Sequence, residues 1–394
     1  MDKLQMKYNF LHILYWITNC TIYGYVAVFL QYKGLSNTEI GLVTGGGAIA
    51  SIFMSPVISE LVYQIKGLTI KKLILISYLI MFGMFLLLTL VPLPTLVIMI
   101  LYICLTFVVV SQVPLLSTIC MDYLKSGQYI NFGLSRGLGS ASYAISAAVI
   151  GRLIEFLNPD IIGLVFIIFS ILLLIDLFSM PDMQVEYTQK TKKTKIFSFI
   201  KKYRTFMIIL LGFAFAFASA MSLGTYLINI VNNLGGTTSL YGIAIFVMAS
   251  SEMPVMGITH SLLKKFKSET LLVVAIICYV LRNFTICLAT NLIVLMIGML
   301  FQGASYGLFT AVITYYVNDH INENDQMLGQ TMIGIMTTGI GATIGNLFGG
   351  VLQDTSGLSS MYVFVCILTV LGMLIVLCVI RLNKIRFLKD GGEK

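Results

Sequence analysis

Three charged residues, Arg136, Glu252 and Arg282, lie deep inside apolar stretches of this sequence. A charged side chain near the middle of a bilayer costs about 2.5–3.5 kcal/mol on insertion scales, so it is retained mainly for function. Two guanidinium groups and a carboxylate that face one cavity would suit a polar organic molecule, because they donate and accept hydrogen bonds. The alternative interpretation is a structural ion pair between Glu252 and Arg282.

Aromatic and amide side chains in the same stretches are candidates for lining such a cavity. A ring that carries a hydrogen-bonding group suits a sugar ring and a nucleoside equally well. Each of these side chains could also be an ordinary packing residue. The predicted substrate-binding residues are Trp16, Asn19, Tyr143 and Gln302, together with Arg136 and Glu252.

No catalytic or cofactor-binding motif occurs in the 394 residues. The sequence lacks a phosphate-binding GxxxxGK(S/T) loop, which excludes ATP-driven transport by the chain itself, and it lacks an HExxH motif. The seven cysteines lie inside apolar stretches without metal-ligand or redox spacing, so we interpret them as packing residues. The sequence therefore predicts neither an enzyme nor a bound metal or cofactor.

The composition is that of a membrane protein. Hydrophobic residues make up 58% of the chain and charged residues only 11%, with a mean hydropathy of +0.94, whereas about a quarter of a soluble domain is charged. This excludes a soluble enzyme, a nucleic-acid-binding protein and a disordered scaffold. The net charge of +8 does not indicate nucleic acid, because the basic residues are sorted by position along the chain.

Apolar stretches long enough to cross a bilayer recur along the whole chain. A hydrocarbon core of about 30 Å needs roughly 20 apolar residues per helix. The predicted fold is an all-α polytopic membrane protein with twelve spans in two pseudo-symmetric bundles of six, and the first stretch continues into a span without a signal-peptide cleavage site. The predicted spans are 9–30, 38–63, 70–91, 94–123, 129–157, 159–180, 205–232, 239–264, 269–289, 291–318, 326–354 and 360–383.

A polar, lysine-rich stretch separates the two sets of spans. The predicted segments are an N-terminal six-helix bundle (1–180), a basic cytoplasmic linker (181–204) and a C-terminal six-helix bundle with a short cytoplasmic tail (205–394). In a twelve-span arrangement, 21 of the 25 Lys and Arg residues fall on one side of the membrane. Because Lys and Arg are in excess on the cytoplasmic face, we expect both termini to be cytoplasmic and the chain to lie in the cell membrane.

Three motifs accompany this two-bundle pattern. They are GLSNTEIG at 34–41, GLSRGLGS at 133–140, and a glycine-rich stretch that runs from Gly329-Gln330 to Gly349-Gly350. With the basic linker, they resemble the major facilitator superfamily, and within it the branch that holds lactose, nucleoside and phenylpropionate permeases. The resemblance covers essentially the whole chain and is specific for the fold rather than for one substrate.

The resemblance implies roles for the charged residues. Arg136 matches the sugar-binding arginine of helix 5 in lactose permease, and Tyr143 takes the place of the tryptophan that stacks on the sugar ring. Glu252 matches the helix 8 glutamate that contacts sugar. Arg282 matches the helix 9 arginine of the proton-coupling network, so Glu252 and Arg282 are the predicted proton-coupling residues.

The sequence also departs from the lactose permease pattern. The coupling histidine and glutamate of helix 10 fall at Gln302 and Ser305, and the helix 4 carboxylate falls at Ser117. The helix 11 lysine falls near Thr338, and Tyr63 occupies the acidic position of the loop motif after helix 2. The full lactose-type proton relay is therefore absent from the sequence.

These observations predict a secondary active transporter that works by alternating access about a site near the middle of the membrane. The expected substrate is a small sugar, oligosaccharide or nucleoside, imported by a monomer together with a proton. The alternatives are a proton-coupled exporter of drugs or metabolites and a facilitative uniporter. A non-transporting membrane sensor or chaperone is the hypothesis from a different class, and the sequence offers it no soluble domain.

Overall fold

The computed structural model describes residues 3–65, 67–182 and 196–389, and every regular element within these ranges is helical. Eleven helices there are long and apolar enough to cross a membrane, and a bent pair of helices supplies a twelfth span. The predicted all-α polytopic fold is confirmed, and the chain is a multi-pass membrane protein.

One compact unit comprises residues 1–191 together with 235–246. A π-helical segment, Cys20–Gly24, joins its first two α-helices, and the chain bends by 54° after it. The first span is therefore broken rather than continuous over the predicted 9–30. The α-helices of this unit are α1 (Lys3–Asn19), α2 (Val26–Tyr32), α3 (Asn37–Gln64), α4 (Ile70–Leu90), α5 (Thr95–Lys125), α6 (Phe132–Phe156) and α7 (Ile161–Ser179).

The other compact unit comprises residues 192–234 and 247–394. One helix, α11 (Thr238–Leu263), begins in the first unit and ends in the second. The remaining helices are α8 (Ile196–Lys202), α9 (Arg204–Thr225), α10 (Leu227–Asn233), α12 (Ser268–Cys287), α13 (Leu292–Leu300), α14 (Leu308–His320), α15 (Glu323–Gly334), α16 (Ala342–Ser356) and α17 (Leu358–Lys389).

The chain passes between the two units at three points, and the first of them falls inside the predicted linker, 181–204. Residues 183–195 of that linker, with Lys190, Lys192, Lys193 and Lys195, lie outside the described residues. The described remainder contains the short helix α8, which the sequence interpretation as a solvated linker did not include. The domain boundaries themselves stay a prediction.

Local capping signals set the helix starts that matter for the candidate site. Ser36 and Glu39 form a reciprocal capping box at the start of α3, a pattern that satisfies two backbone donors. Asn131 accepts a hydrogen bond from the Leu134 backbone nitrogen at 3.0 Å and so begins α6. This start places Arg136 in the second turn of α6.

Two further π-helical segments interrupt spans of the second unit. Gly303–Gly307 lies between α13 and α14, and Ile335–Gly341 lies between α15 and α16. Short π segments inside α-helices are rare and occur mostly at functional sites. The sequence analysis did not predict them, although Gly303 and Gly307 bracket one of them.

The glycine stripe of the predicted eleventh span packs against α9. A Cβ atom on Gly345 would lie 1.9 Å from the Ala218 carbonyl oxygen, and one on Gly349 would lie 2.2 Å from the Ser222 hydroxyl. The absence of these side chains lets the two helix backbones approach closely. This close contact, with the neighbouring Gly341, builds the centre of the second unit.

Candidate functional site

The predicted site residues form two polar clusters, one in each compact unit. The arginine–tryptophan cluster consists of Trp16, Arg136, Ser140 and Tyr143 in the first unit. The carboxylate cluster consists of Ser251, Glu252, Gln302 and Gly303 in the second unit. Arg282 belongs to the second unit as well.

Arg136 stacks on Trp16 in the arginine–tryptophan cluster. The guanidinium carbon lies 4.1 Å from the centre of the indole ring, within the range of a cation–π interaction. The guanidinium also donates a hydrogen bond to the Ser140 hydroxyl, one turn further along α6. Since both Trp16 and Arg136 are only half-buried, the planar cation is positioned yet still reachable.

The Trp16 ring packs directly against Gly139, which leaves no room for a side chain there. A Cβ atom at position 139 would lie 2.2 Å from Trp16 Cδ1 and 2.8 Å from Trp16 Nε1. The Tyr143 ring meets the Trp16 ring edge-to-face with centres 6.1 Å apart, and the Tyr15 ring does so with centres 5.2 Å apart. The structure therefore brings Trp16, Arg136 and Tyr143 together around one fixed ring.

Asn19 occupies the last position of α1, directly before the π segment. It is buried, and its amide nitrogen donates to the Tyr15 hydroxyl at 3.3 Å. Tyr15 in turn donates to the Val109 carbonyl of α5 at 3.1 Å. The contacts of Asn19 thus support the aromatic group behind Trp16, while its predicted role as a substrate ligand stays a prediction.

A buried amide network next to Arg136 was missed by the sequence analysis. Gln5 donates to Asn9 at 2.7 Å and to Ser135 at 3.1 Å, and Ser135 donates to Asn9 at 2.6 Å. The Asn131 backbone nitrogen donates to the Gln5 side chain at 2.6 Å. This network holds α1 against the start of α6, and the four-residue spacing of Gln5 and Asn9 was its only sequence signal.

Glu252 and Gln302 are hydrogen-bonded in the carboxylate cluster. The Gln302 amide nitrogen donates to Glu252 Oε1 at 3.0 Å. The Gly303 backbone nitrogen donates to the Ser251 hydroxyl at 3.0 Å, and a Cβ atom on Gly303 would lie 2.1 Å from the Ser251 carbonyl oxygen. The π segment therefore lies directly against α11, which holds the carboxylate and the amide side by side.

Arg282 has a different environment from Arg136. Only 1% of its surface is exposed. Its guanidinium donates to Asn283 at 2.9 Å, and Asn283 donates to Thr369 of α17 at 2.8 Å. The negative charge of Glu252 also acts on this guanidinium. Arg282 was predicted among the cavity groups; its side chain is buried, and its guanidinium lies against Asn283 and, at 4.0 Å, the Met248 sulfur of α11.

Three buried polar atoms of these residues lack a hydrogen-bond partner within the described part of the chain. They are Trp16 Nε1, Gln302 Oε1 and Arg282 Nε. Buried polar atoms are nearly always paired, so each such exception needs an explanation. Trp16 Nε1 is a donor and Gln302 Oε1 an acceptor, the two functions that a hydroxyl group of a ligand satisfies.

No group of three or more His, Cys, Asp or Glu side chains among the described residues is placed to hold a metal ion. The cysteines in these ranges are free thiols. The chemistry that the two clusters offer is therefore hydrogen bonding, stacking and charge.

Comparisons with known proteins agree on one family. A model of the MFS_1 like family matches residues 5–364. The uncharacterized transporter YwbF of Bacillus subtilis (strain 168) is 24% identical over 363 residues, which cover 89% of this chain and 86% of that protein. The maltose permease of Geobacillus stearothermophilus is 24% identical over 268 residues, 67% of each chain.

A solved structure shares the fold. The crystal structure of a mutant of the nucleoside transporter NupG is similar to this chain with a TM-score of 0.83 and 14% sequence identity. The similarity covers 96% of this chain and 99% of that one. At this level of identity the likeness shows the fold alone.

Proposed function

The chain belongs to the MFS_1 like family of major facilitator transporters, and from this membership we propose that it imports a small sugar, oligosaccharide or nucleoside together with a proton. Membership makes the protein a transporter and not an enzyme. The observation that carries the substrate class is the positioned pair of Trp16 and Arg136. The alternating-access mechanism is part of the same proposal.

The arginine–tryptophan cluster is proposed to bind the ring of the substrate. The indole face and the Tyr143 ring offer stacking surfaces, and Arg136 offers a fixed fork of donors for hydroxyl oxygens. The relatives support this class, since one is named a maltose permease and a solved structure is of a nucleoside transporter. Neither name decides between the two kinds of substrate.

The carboxylate cluster is proposed to bind hydroxyl groups of a transported substrate. Glu252 accepts hydrogen bonds, and Gln302 holds one of its oxygens by donating at 3.0 Å. The free acceptor of Gln302 offers a further hydrogen bond. A ligand with several hydroxyl groups would satisfy both side chains.

Glu252 is proposed to carry the coupled proton as well. Gln302 and Ser305 occupy the positions at which the lactose permease pattern has titratable residues, so they cannot exchange a proton in the physiological range. The buried Arg282 is proposed to favour the charged form of Glu252 when the two groups are close. The competing function is a uniporter in which Glu252 acts only as a ligand.

Reconstitution into liposomes tests this proposal. Labelled disaccharides and nucleosides are offered to the purified protein, and uptake is measured with and without an imposed pH gradient. Import of either class, accelerated by an inward proton gradient, is expected. Uptake that ignores the gradient would favour the uniporter, and efflux driven by the gradient would favour the exporter.

Glu252→Gln separates substrate binding from proton coupling. The amide keeps a hydrogen-bond acceptor, so we expect counterflow exchange to continue while uphill accumulation driven by the pH gradient is lost. Asp319→Asn, which removes an exposed carboxylate of α14, serves as the control and should retain both activities. Undiminished accumulation by Glu252→Gln would contradict the proposed proton carrier.

We also propose that both termini and the linker face the cytoplasm, because most Lys and Arg residues fall on that side. Single cysteines at Gly235 or Ser359 should react with an impermeant reagent added to intact cells. A cysteine at Lys192 should not. Strong labelling at Lys192 from outside would reverse the assigned orientation.

A further inference from the structure

A basic cavity lies at one end of the second unit, where α8 meets α9. Its volume is about 350 Å³. No carboxylate side chain is among its lining residues, although the cavity is bordered by several cations. The lining residues are Lys201, Lys202, Tyr203, Arg204, Thr205, Phe206, Tyr316, His320 and Ile321.

Two basic side chains at this cavity have no polar partner among the described residues. Lys201 and Arg204 are exposed and make no hydrogen bond or ion pair with any described residue. Lys202 differs, because its ammonium group contacts Asp325 at 2.8 Å. The Tyr203 hydroxyl donates to the same Asp325 oxygen at 2.9 Å. The nearest carboxylate is thus already bound, and an anion could be shared by Lys201 and Arg204.

Aromatic side chains make up another part of the cavity lining. His320 stacks on Tyr316 with ring centres 4.1 Å apart, and its Nε2 contacts Glu269 at 3.1 Å. Tyr316 in turn stacks on Phe206 at 6.1 Å. These contacts position the aromatic lining residues, and none of them involves Lys201 or Arg204.

Helix α8 presents an apolar surface beside the cations. Ile196, Phe197 and Ile200 are exposed, Phe197 to 88%, whereas Phe199 is fully buried against the bundle. A short helix with exposed apolar residues and lysines at its end is suited to the boundary between lipid headgroups and acyl chains. The cations and the apolar residues therefore match the two parts of a lipid molecule.

We propose that this cavity binds the phosphate headgroup of an anionic phospholipid. Lys201 and Arg204 hold the phosphate, and the exposed side chains of α8 contact the acyl chains. Basic pockets at the ends of membrane helices recognise anionic headgroups through this combination of charge and shape. A free inorganic anion would use the two cations but would gain nothing from Phe197.

Lipid binding to the purified full-length protein tests the proposal. Phosphatidylglycerol and phosphatidylcholine are titrated separately, and bound lipid is counted by native mass spectrometry. Each basic residue near a surface contributes about a fivefold change in affinity for anionic lipid, so Lys201→Gln with Arg204→Gln should weaken phosphatidylglycerol binding about thirtyfold. Phosphatidylcholine binding should change little.

The matched control removes two lysines elsewhere on the same unit. Lys264→Gln with Lys265→Gln deletes the same charge from exposed positions that do not line the cavity. This variant should bind phosphatidylglycerol within about twofold of the unmodified protein, because substitutions away from a binding feature usually change a free energy by no more than about 0.5 kcal/mol. An equal loss in both double variants would show diffuse surface attraction and overturn the proposal.

Phe197→Ser distinguishes a lipid from a free anion. This change should weaken phosphatidylglycerol binding and leave the cations in place, since Phe197 is exposed and the fold does not depend on it. Inorganic phosphate at matched concentration should displace little bound lipid. Full displacement by phosphate, or a Phe197→Ser variant that binds lipid normally, would contradict the lipid assignment.

Discussion

Arg136 and Arg282 are both arginines inside predicted membrane spans, but their surroundings differ. Arg136 is half-buried, stacks on the face of Trp16 and donates a hydrogen bond to Ser140. Arg282 is 1% exposed and linked through Asn283 to α17. Depth within a span identifies a costly charge, but only the folded structure shows that Arg136 stays partly accessible while Arg282 is enclosed.

The two arginines also differ in what limits their motion. The position of Arg136 depends on the Trp16 ring, which packs against Gly139. The position of Arg282 depends on hydrogen bonds within and between two packed helices. We therefore expect the first arginine to be sensitive to small shape changes at Trp16, and the second to be sensitive to loss of polar contacts.

The largest effect is expected from Arg282→Ala. The change leaves the Asn283 amide oxygen without its donor and removes a buried positive charge near Glu252, at a cost of about 2–3 kcal/mol. The melting temperature of the purified protein should fall by about 5 °C or more. Arg381→Ala, at an exposed position of α17, is the control. If Arg282→Ala keeps its melting temperature and loses only substrate binding, the proposed difference between Arg282 and Arg136 would be wrong.

The next prediction concerns Gly139→Ala, at the glycine that packs against Trp16 in the first unit. The added methyl group would overlap Trp16 Cδ1, and such overpacking costs about 1–3 kcal/mol. We expect a displaced indole ring, weaker substrate binding and altered tryptophan fluorescence, since Trp16 is the single tryptophan of the chain. Gly137→Ala, with no atom within 4 Å of the added methyl group, should leave all three unchanged. Equal substrate binding and fluorescence in both variants would contradict the proposal that the contact with Gly139 positions Trp16.

Arg136→Ala should act on binding alone. Loss of one charged donor corresponds to at least a tenfold lower substrate affinity, or about 1.4 kcal/mol, with an unchanged melting temperature. Arg136→Lys should fail too, because a point charge replaces neither the planar stack nor the two-pronged donor. Arg152→Ala is the matched control, as Arg152 stacks on Phe156 at 4.9 Å from an exposed position of the same helix. Normal binding by Arg136→Ala would remove it from the site.

The sequence predicted the spans well because each one is a separate run of about 20 apolar residues. It also selected the three charges Arg136, Glu252 and Arg282, since a charge within such a run stands out. It did not predict the π segments at Cys20–Gly24 and Gly303–Gly307, because a π turn is set by contacts from other helices such as that of Gly303 with Ser251.

The different surroundings of the two arginines also lay beyond the sequence. Both lie within predicted spans, and the residues next to them in sequence do not reveal whether the side chain is enclosed. The stack of Arg136 on Trp16 joins residues 120 positions apart, and the link from Asn283 to Thr369 joins residues 86 positions apart. Contacts of that separation depend on how helices pack and not on local pattern.

The smallest change in stability is expected at two ion pairs, Lys71–Asp182 in the first unit and Lys202–Asp325 in the second. The Lys71 ammonium donates to Asp182 at 2.8 Å and to the Met180 carbonyl at 2.6 Å, which satisfies the end of α7. The Asp182 side chain is 79% exposed, whereas the Asp325 side chain that contacts Lys202 is 8% exposed. Breaking an exposed pair costs little, whereas removing the charge of a buried partner leaves its contacts uncompensated, so Asp325→Asn should lower the melting temperature more than Asp182→Asn.

The pH dependence of Asp182→Asn follows from the same contact. The hydrogen bond and charge of Lys71 hold the pKa of the Asp182 carboxyl below its ordinary value of 3.8. A carboxyl whose pKa is lower in the folded state stabilises the protein above its unfolded pKa, and this contribution is lost as pH falls through the folded pKa. The unmodified protein should therefore melt slightly higher than Asp182→Asn at neutral pH, and the difference should shrink below pH 3.8. A difference that is unchanged by acid would mean that Asp182 acts through hydrogen-bond geometry and not through its charge.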